Sequence, residues 1–433
     1  MEYCVFLYYF SFILITNNFI EEMKNSTPLV KYLFSIPVIV AALGYFVDIY
    51  DLVLFGIVRV PSLKALGLLD TQILDKGVLL LNMQMVGMLV GGILWGILGD
   101  KKGRLQILFG SIMLYSIANI ANGFVTTIDQ YALCRLLAGI GLAGELGAGI
   151  TLVAEILPKE IRGYGTMMVA TIGVSGAVVA YAIAEDFMWR TSYFIGGGLG
   201  ILLLVLRVSV YESGMFEAMK KKNIARGNFL SLFMKKDLFK RYLKCILIGI
   251  PSWYVVGVLI TFSPELGKAL NLSEPIAAGK AIMFCYIGLI VGDLSSGVLS
   301  QFLKSRKKVV LIFLLLSLLV IAFYFTFLQG GSAFLFYSVA TALGFSIGYW
   351  AVFVTIAAEQ FGTNMRATVA TTVPNFVRGA TVPITLLFNF GKGYVGVIQS
   401  AIWVGVFVFV ISLFAVVKLN ETFDKSLDYV EES

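Results

Sequence analysis

Runs of about twenty apolar residues, separated by short polar turns, recur about twelve times along this chain. No other feature narrows its possible folds so far. In water, each run would need burial on every side. In hydrocarbon, the same run is the shortest helix that crosses a bilayer with every backbone N–H and C=O bonded internally. Composition agrees: 59% of the 433 residues are apolar and only 14% are charged, with a mean hydropathy of +0.89. A water-soluble chain of this length needs more polar surface. The sequence therefore reads as an all-α integral membrane protein with twelve transmembrane helices in two six-helix bundles.

The spans fall near residues 32–59, 77–98, 105–125, 129–156, 163–185, 190–211, 242–263, 277–302, 308–328, 332–357, 367–390 and 394–417. One long polar interruption, 212–241, carries Lys220, Lys221, Lys222, Arg226, Lys235, Lys236, Lys240 and Arg241. It divides the chain into an N-terminal extension and tail (1–31), a first bundle (32–211), a linker (212–241), a second bundle (242–417) and a C-terminal tail (418–433). Alternate connections on the linker's side hold 19 Lys and Arg against 7 on the other side. Basic loops stay cytoplasmic, so both termini are expected inside, in a bacterial inner membrane. Residues 4–16 are apolar but too short for a span and lack a basic leader, so 1–22 reads as an extension before a second start at Met23, or as an interfacial anchor.

Net charge is +7, but the cations sit in topology loops rather than in a basic, aromatic-interleaved patch. Nucleic acid is therefore not an expected partner. The four cysteines, Cys4, Cys134, Cys245 and Cys285, stand singly, which suits buried thiols better than disulfides or metal ligands. Histidine is absent, which excludes common metal and triad chemistries and leaves carboxylates as the proton carriers. No enzyme, metal or cofactor is expected.

The halves repeat weakly. LVAEILPKEIRG (152–163) matches IAAEQFGTNMRA (356–367), and Gly87, Val90, Gly91 and Gly96 recur as Gly288, Val291, Gly292 and Gly297. Duplicated transporters of this kind place a substrate site between halves near the bilayer midplane.

The loop GILGDKKGR contains Gly96, Asp100, Lys101, Gly103 and Arg104 and resembles the signature loop of the major facilitator superfamily. CRLLAGIGLAGELGAGITLVAEILPKEIRG (134–163) resembles the fourth helix of its metabolite:proton symporters, and ETFDKSL (421–427) the sugar-porter tail. MWRTSYF (188–194) and RVSVYESGMF (207–216) resemble the start and end of helix 6, and GYFVDIYDLVLFG (44–56) the first-helix acidic–x–Tyr–Asp pattern. The resemblance spans residues 30–428 and implies alternating access between two bundles. Two departures stand out: Met88 occupies a helix-2 position where many such symporters carry arginine, and Arg378 lies inside a span. The glycine–proline pattern of drug antiporters is missing from helix 5.

Charges at membrane depth cost about 2.5–3.5 kcal/mol each on insertion scales and so need partners or a role. Asp48, Asp51, Arg135, Glu145, Asp293 and Arg378 all lie inside spans. At about 1.5 Å per residue, Asp48 and Asp51 sit roughly 24 and 28 Å along helix 1, level with Arg135 on helix 4. Asp51, Asp48, Arg135 and Glu145 are the proton-coupling candidates, with a carboxylate–Arg135 pair as the switch; a permanent helix-pinning ion pair is the alternative. Arg378, Asn375, Asp293, Trp253 and Tyr254 are the substrate candidates, Arg378 as a fork for a carboxylate or else neutralised by Asp293 or Glu145. Asp100, Arg104, Glu155, Arg162, Glu359 and Arg366 are expected to form a cytoplasmic gate.

The resulting expectation is a proton-coupled symporter of a small polar metabolite, an organic carboxylate favoured over a sugar. The alternatives are a proton-independent facilitator or sugar transporter of the same fold, or a transporter-like nutrient sensor.

Overall fold

The computed structural model describes residues 34–102, 104–145, 157, 162–212, 229, 231–423 and 431. The expected N-terminal extension and most of the linker lie outside these residues, as does Glu155. No strand occurs among the described residues. The first half contains α1 (Ile36–Ala65), α2 (Asp70–Lys102), α3 (Arg104–Asn122), α4 (Ile128–Leu142), α5 (Arg162–Val174), α6 (Gly176–Asp186) and α7 (Trp189–Glu212). After the short α8 (Ser231–Met234), the second half contains α9 (Lys236–Tyr254), a π-helical turn (Val255–Ile260), α10 (Ser263–Ala269), α11 (Ala278–Phe302) and α12 (Arg306–Phe327). It continues with α13 (Ala333–Ser346), α14 (Trp350–Glu359), α15 (Thr363–Gly379), α16 (Thr381–Val395) and α17 (Val397–Val417).

Among the described residues, nine helical stretches are long and apolar enough to cross a membrane. With α3, α4 and the pair α15–α16, they account for the expected spans. Hydroxyl caps start several of them: Thr127 accepts from Gln130 N–H, Ser305 from Lys308 N–H and Ser332 from Leu335 N–H. Cys134, Cys245 and Cys285 are buried free thiols.

Within each half, glycine brings one helix pair together. A Cβ on Gly87 or Gly139 would strike the backbone of the facing helix, α4 or α2. Gly288 and Gly344 make the same demand of α13 and α11. Two backbones touch in both places because no side chain stands between them. Gly87 and Gly288 are the residues that the sequence repeat aligns, so the duplication is visible in packing. The halves meet along α2 against α15 and α16, and along α11 against α1, α5 and α6.

Several spans break near mid-membrane, at Ser175, at residues 347–349 and at Ala380. A broken helix in an apolar setting must rebond its backbone. Pro251 in α9 cannot bond the carbonyl of Leu247, and the Ser412 hydroxyl from α17 bonds it instead.

The two ends differ. At the end opposite the linker, the halves are sealed together. Arg59, which is 0% exposed, donates to both oxygens of Glu265 at 2.6 and 2.8 Å and to the Thr261 carbonyl at 3.1 Å. Its guanidinium lies 4.9 Å from the Phe262 ring centre. Thr385 donates to Asn82 at 2.6 Å and Lys392 meets Asp75 at 2.5 Å, both again across the two halves.

At the linker end, the tail straps the second half. Glu421 accepts from the Ser305 hydroxyl and from Arg306 N–H at the start of α12. Glu431 pairs with Arg241 at 3.0 Å. The expected cytoplasmic gate is met only in part. Glu359 pairs with Arg306 of α12 at 2.6 Å rather than with the first half. Arg366 acts electrostatically on that same carboxylate. The side chains of Asp100, Arg104 and Arg162 lie outside the described residues.

Candidate functional site

The charged residues that the sequence places inside spans converge on the centre and are all buried. They form three groups rather than one.

The first group joins the halves. Asp48 of α1 and Arg378 of α15 are 0% and 1% exposed and stand 3.7 Å apart. The sequence makes Arg378 a substrate fork, or else a cation neutralised by Asp293 or Glu145. Its ion-pair partner is neither of these acids but Asp48, because α15 presents its guanidinium to α1. At that distance the pair attracts without a hydrogen bond. Neither Asp48 oxygen and neither Nε nor Nη1 of Arg378 has a hydrogen-bond partner. Aromatic residues wall the pair. The Arg378 guanidinium lies 5.8 Å from the Trp350 ring centre. Tyr45 approaches Trp350 and lies within electrostatic reach of Asp48, Asp293 and Arg378. Tyr286 of α11 also feels Asp48 and Arg378.

Asp293 belongs to this wall. Its Oδ1 accepts from Ala351 N–H at 3.1 Å, in the first turn of α14. An acid at a helix N-terminus is favoured by the exposed N–H groups and the dipole. Its Oδ2 is buried with no hydrogen-bond partner. Burial and the N–H groups of Ala351 and Trp350 are the influences on its charge, and no cation among the described residues joins them.

The second group lies within the first half. Asp51 is 0% exposed, and Arg135 acts on it electrostatically. The expected direct bridge is replaced by an indirect one. Arg135 donates to Asn119 at 2.6 Å and stacks over Tyr193 at 4.7 Å. Asn119 of α3 takes Nη2, while Nε and Nη1 of Arg135 and both Asp51 oxygens have no hydrogen-bond partner, so Asp51 faces a cation without bonding it. Tyr193 and Tyr131 share a hydrogen bond of 2.8 Å.

The third group is a tight pair. Arg207 of α7 grips both oxygens of Glu145, one at 3.0 Å. Glu145, one of the proton-coupling candidates, is thereby paired with a cation on a neighbouring helix. Tyr115 of α3 lies within reach of Glu145, Asp51 and Asp48, linking the groups.

Three further substrate candidates have partners outside the charged groups or no contact with them. Asn375 donates to the Ala143 carbonyl at 2.8 Å and to Thr371 at 3.0 Å, so its amide ties α15 to the end of α4. Its Oδ1 has no hydrogen-bond partner. Tyr254 turns away from the charges, because its hydroxyl needs an acceptor in an apolar setting and finds Ala401 on α17 at 2.7 Å. Trp253 is buried, and no contact among the described residues joins it to the cluster. Sequence reasoning missed Arg207, Tyr45, Trp350 and Tyr286. Arg207 alone had a signal, a cation in the last turns of an apolar span.

Two duplicated helix bundles, sealed at one end over a buried cluster of charges, define a membrane transport protein. Among the described residues no group of three or more His, Cys, Asp or Glu could hold a metal ion. The chain belongs to the Major Facilitator Superfamily, whose sequence model matches residues 3–380. It is a multi-pass transporter of small metabolites, not an enzyme. The sialic acid transporter NanX of Escherichia coli (strain K12) is 27% identical over 279 residues, which cover 62% of this chain and 66% of that protein. A putative metabolite transport protein of Haemophilus influenzae (strain ATCC 51907 / DSM 11121 / KW20 / Rd) is 27% identical over 420 residues, 90% of this chain and 96% of its own. The crystal structure of a D-xylose-proton symporter shares the fold, with a TM-score of 0.66 at 16% identity over 91% of this chain and 99% of that one.

Proposed function

We propose that the protein is a proton symporter that brings a small polar metabolite, preferentially an organic carboxylate, across the membrane by alternating access. The charge count carries this reading. Among the described residues, four buried carboxyls (Asp48, Asp51, Glu145, Asp293) face three buried guanidiniums (Arg135, Arg207, Arg378) at the centre. One acid is in surplus, and a single proton balances the set.

Asp51 is the carrier we assign. Its carboxylate faces Arg135 without bonding it, so proton gain and loss leave the surrounding hydrogen bonds in place. Arg378 supplies the fork for a substrate carboxylate, since its tie to Asp48 is loose enough to exchange. The likeness to a sialic acid transporter and to a proton symporter supports both parts of the proposal. Residues 32–211 and 242–417 are the moving bodies. The linker end faces the cytoplasm, as the basic loops require, and the bacterial relatives favour an inner membrane. The state described has its outer end closed.

Proteoliposomes loaded with a pH-sensitive dye test the proposal. Carboxylates, amino acids and sugars are added outside one at a time, and a coupled substrate acidifies the lumen. Asp51→Asn is expected to keep downhill substrate uptake while abolishing the acidification. Uptake with no proton movement in the unaltered protein would make it a facilitator.

A further inference from the structure

We infer that the substrate is a zwitterion, an amino acid or betaine whose carboxylate lies on Arg378 and whose cationic nitrogen lies between the Asp48 and Asp293 carboxylates against the Trp350, Tyr45 and Tyr286 rings. This deepens the symport reading and rests on it.

The wall around Arg378 is acidic rather than basic. Two carboxylates, Asp48 and Asp293, line the wall beside a single guanidinium that pairs only with Asp48, and all three are at least 95% buried, being 0%, 5% and 1% exposed. A site built only to hold an anion has no use for two acids beside its single cation. Their polar atoms are also incompletely bonded. Both oxygens of Asp48, Oδ2 of Asp293, and Nε and Nη1 of Arg378 lack hydrogen-bond partners. A carboxylate on Arg378 uses the guanidinium atoms. A nitrogen cation uses the acid atoms. One zwitterion satisfies both sets together.

The aromatic residues fit the same occupant. Tyr45 lies within electrostatic reach of Asp48, Asp293 and Arg378 alike. Trp350 already carries the Arg378 guanidinium near its ring and begins the helix that Asp293 caps. Ring faces attract cations, quaternary ammonium groups among them. A sugar needs hydroxyl partners in number, whereas the groups offered here are predominantly charged.

Charge balance gives a second, separate argument. With one proton on the centre, three carboxylates match three guanidiniums. A zwitterion enters without altering the balance. A bare carboxylate leaves one negative charge uncompensated in a site shut off from water, which is strongly unfavourable.

Binding to the purified full chain in lipid nanodiscs tests this by calorimetry. The probes are glycine betaine, L-proline, propionate, choline and D-xylose. The expected result is that a zwitterion binds at least tenfold more tightly than propionate, choline or xylose. Asp293→Asn is expected to lower zwitterion affinity at least tenfold without lowering propionate affinity, and an unaltered melting temperature without ligand reports an intact fold. Asp293→Glu restores part of the zwitterion affinity. The inference is overturned if propionate or xylose binds as tightly as the zwitterions, if no probe binds, or if Asp293→Asn leaves the zwitterion-to-propionate ratio unaltered. The last result would reduce Asp293 to a cap on α14. Each of these outcomes leaves the dye assay free to show proton-coupled uptake of some other metabolite, so the two readings fail separately.

Discussion

Arg207 and Glu145 carry opposite charges at a depth where neither is stable alone. Paired on both oxygens, they tie the segment just after α4 to α7, the geometry of a brace. Removing one partner strands a buried charge, which costs about 3–5 kcal/mol, whereas replacing both with apolar residues is often neutral. Arg207→Leu is therefore expected to lower the melting temperature in detergent sharply, and the double change Arg207→Leu with Glu145→Leu to recover most of it. If the double variant still binds substrate, Glu145 is confirmed as a brace. Glu421 gives a pH-dependent case outside the membrane. Burial pushes its carboxyl up, but the hydrogen bonds from Ser305 and from Phe423, Thr422 and Arg306 N–H outweigh that and hold it below its ordinary 4.5. A depressed acid stabilises the fold above its unfolded value and loses that contribution as pH falls through the lower, folded one. At pH 7 Glu421→Gln is expected to cost about 0.5–2 kcal/mol, the usual worth of a helix cap. Its melting-temperature difference from the unaltered protein should shrink as pH drops below about 4.5 and close once the native carboxyl is protonated.

Elements were legible in proportion to how much of their signal is local. Apolar run length alone located the spans, because a bilayer imposes a fixed minimum length. Depth along a helix placed Asp51 near Arg135, and the structure keeps them facing one another. Lateral position was not legible. Nothing in the segment around Arg378 says which helix it faces, so Asp48 was not chosen over Asp293. Tyr45 and Trp350 were hidden among many other apolar aromatics. The break before α14 has no proline to announce it, and so the capping role of Asp293 was invisible. Small residues at helix contacts are a firmer prediction. A methyl group on Gly344 would meet the Cys285 carbonyl of α11, and backbone cannot yield as a side chain does. Gly344→Ala is expected to force α11 and α13 apart and destabilise the protein by about 1–3 kcal/mol, a typical overpacking cost. Thermal melting monitored by size-exclusion of the solubilised protein measures it.

At the scale of the whole molecule, the decisive feature is the seal opposite the linker. Arg59 and Glu265 come from different halves and separate whenever that end opens. Arg59→Ala removes all three hydrogen bonds and the stacking on Phe262, so it is expected to shift the population toward the state open at that end. A cysteine placed at Tyr45 reports the shift: its labelling by a membrane-impermeant maleimide added from that side should rise several-fold in the Arg59→Ala background. Equal labelling would mean that the contacts at Asn82–Thr385 and Asp75–Lys392 close the end unaided.

The same seal also governs how much water the centre holds. Opening it hydrates a guanidinium that is wholly dry when closed, together with the acids beneath it, and closing expels that water again. Each cycle therefore exchanges solvent as well as solute. Excluded solutes favour the less hydrated state, so raising osmolality on the sealed side is expected to favour the closed state, which the maleimide labelling would report as a fall.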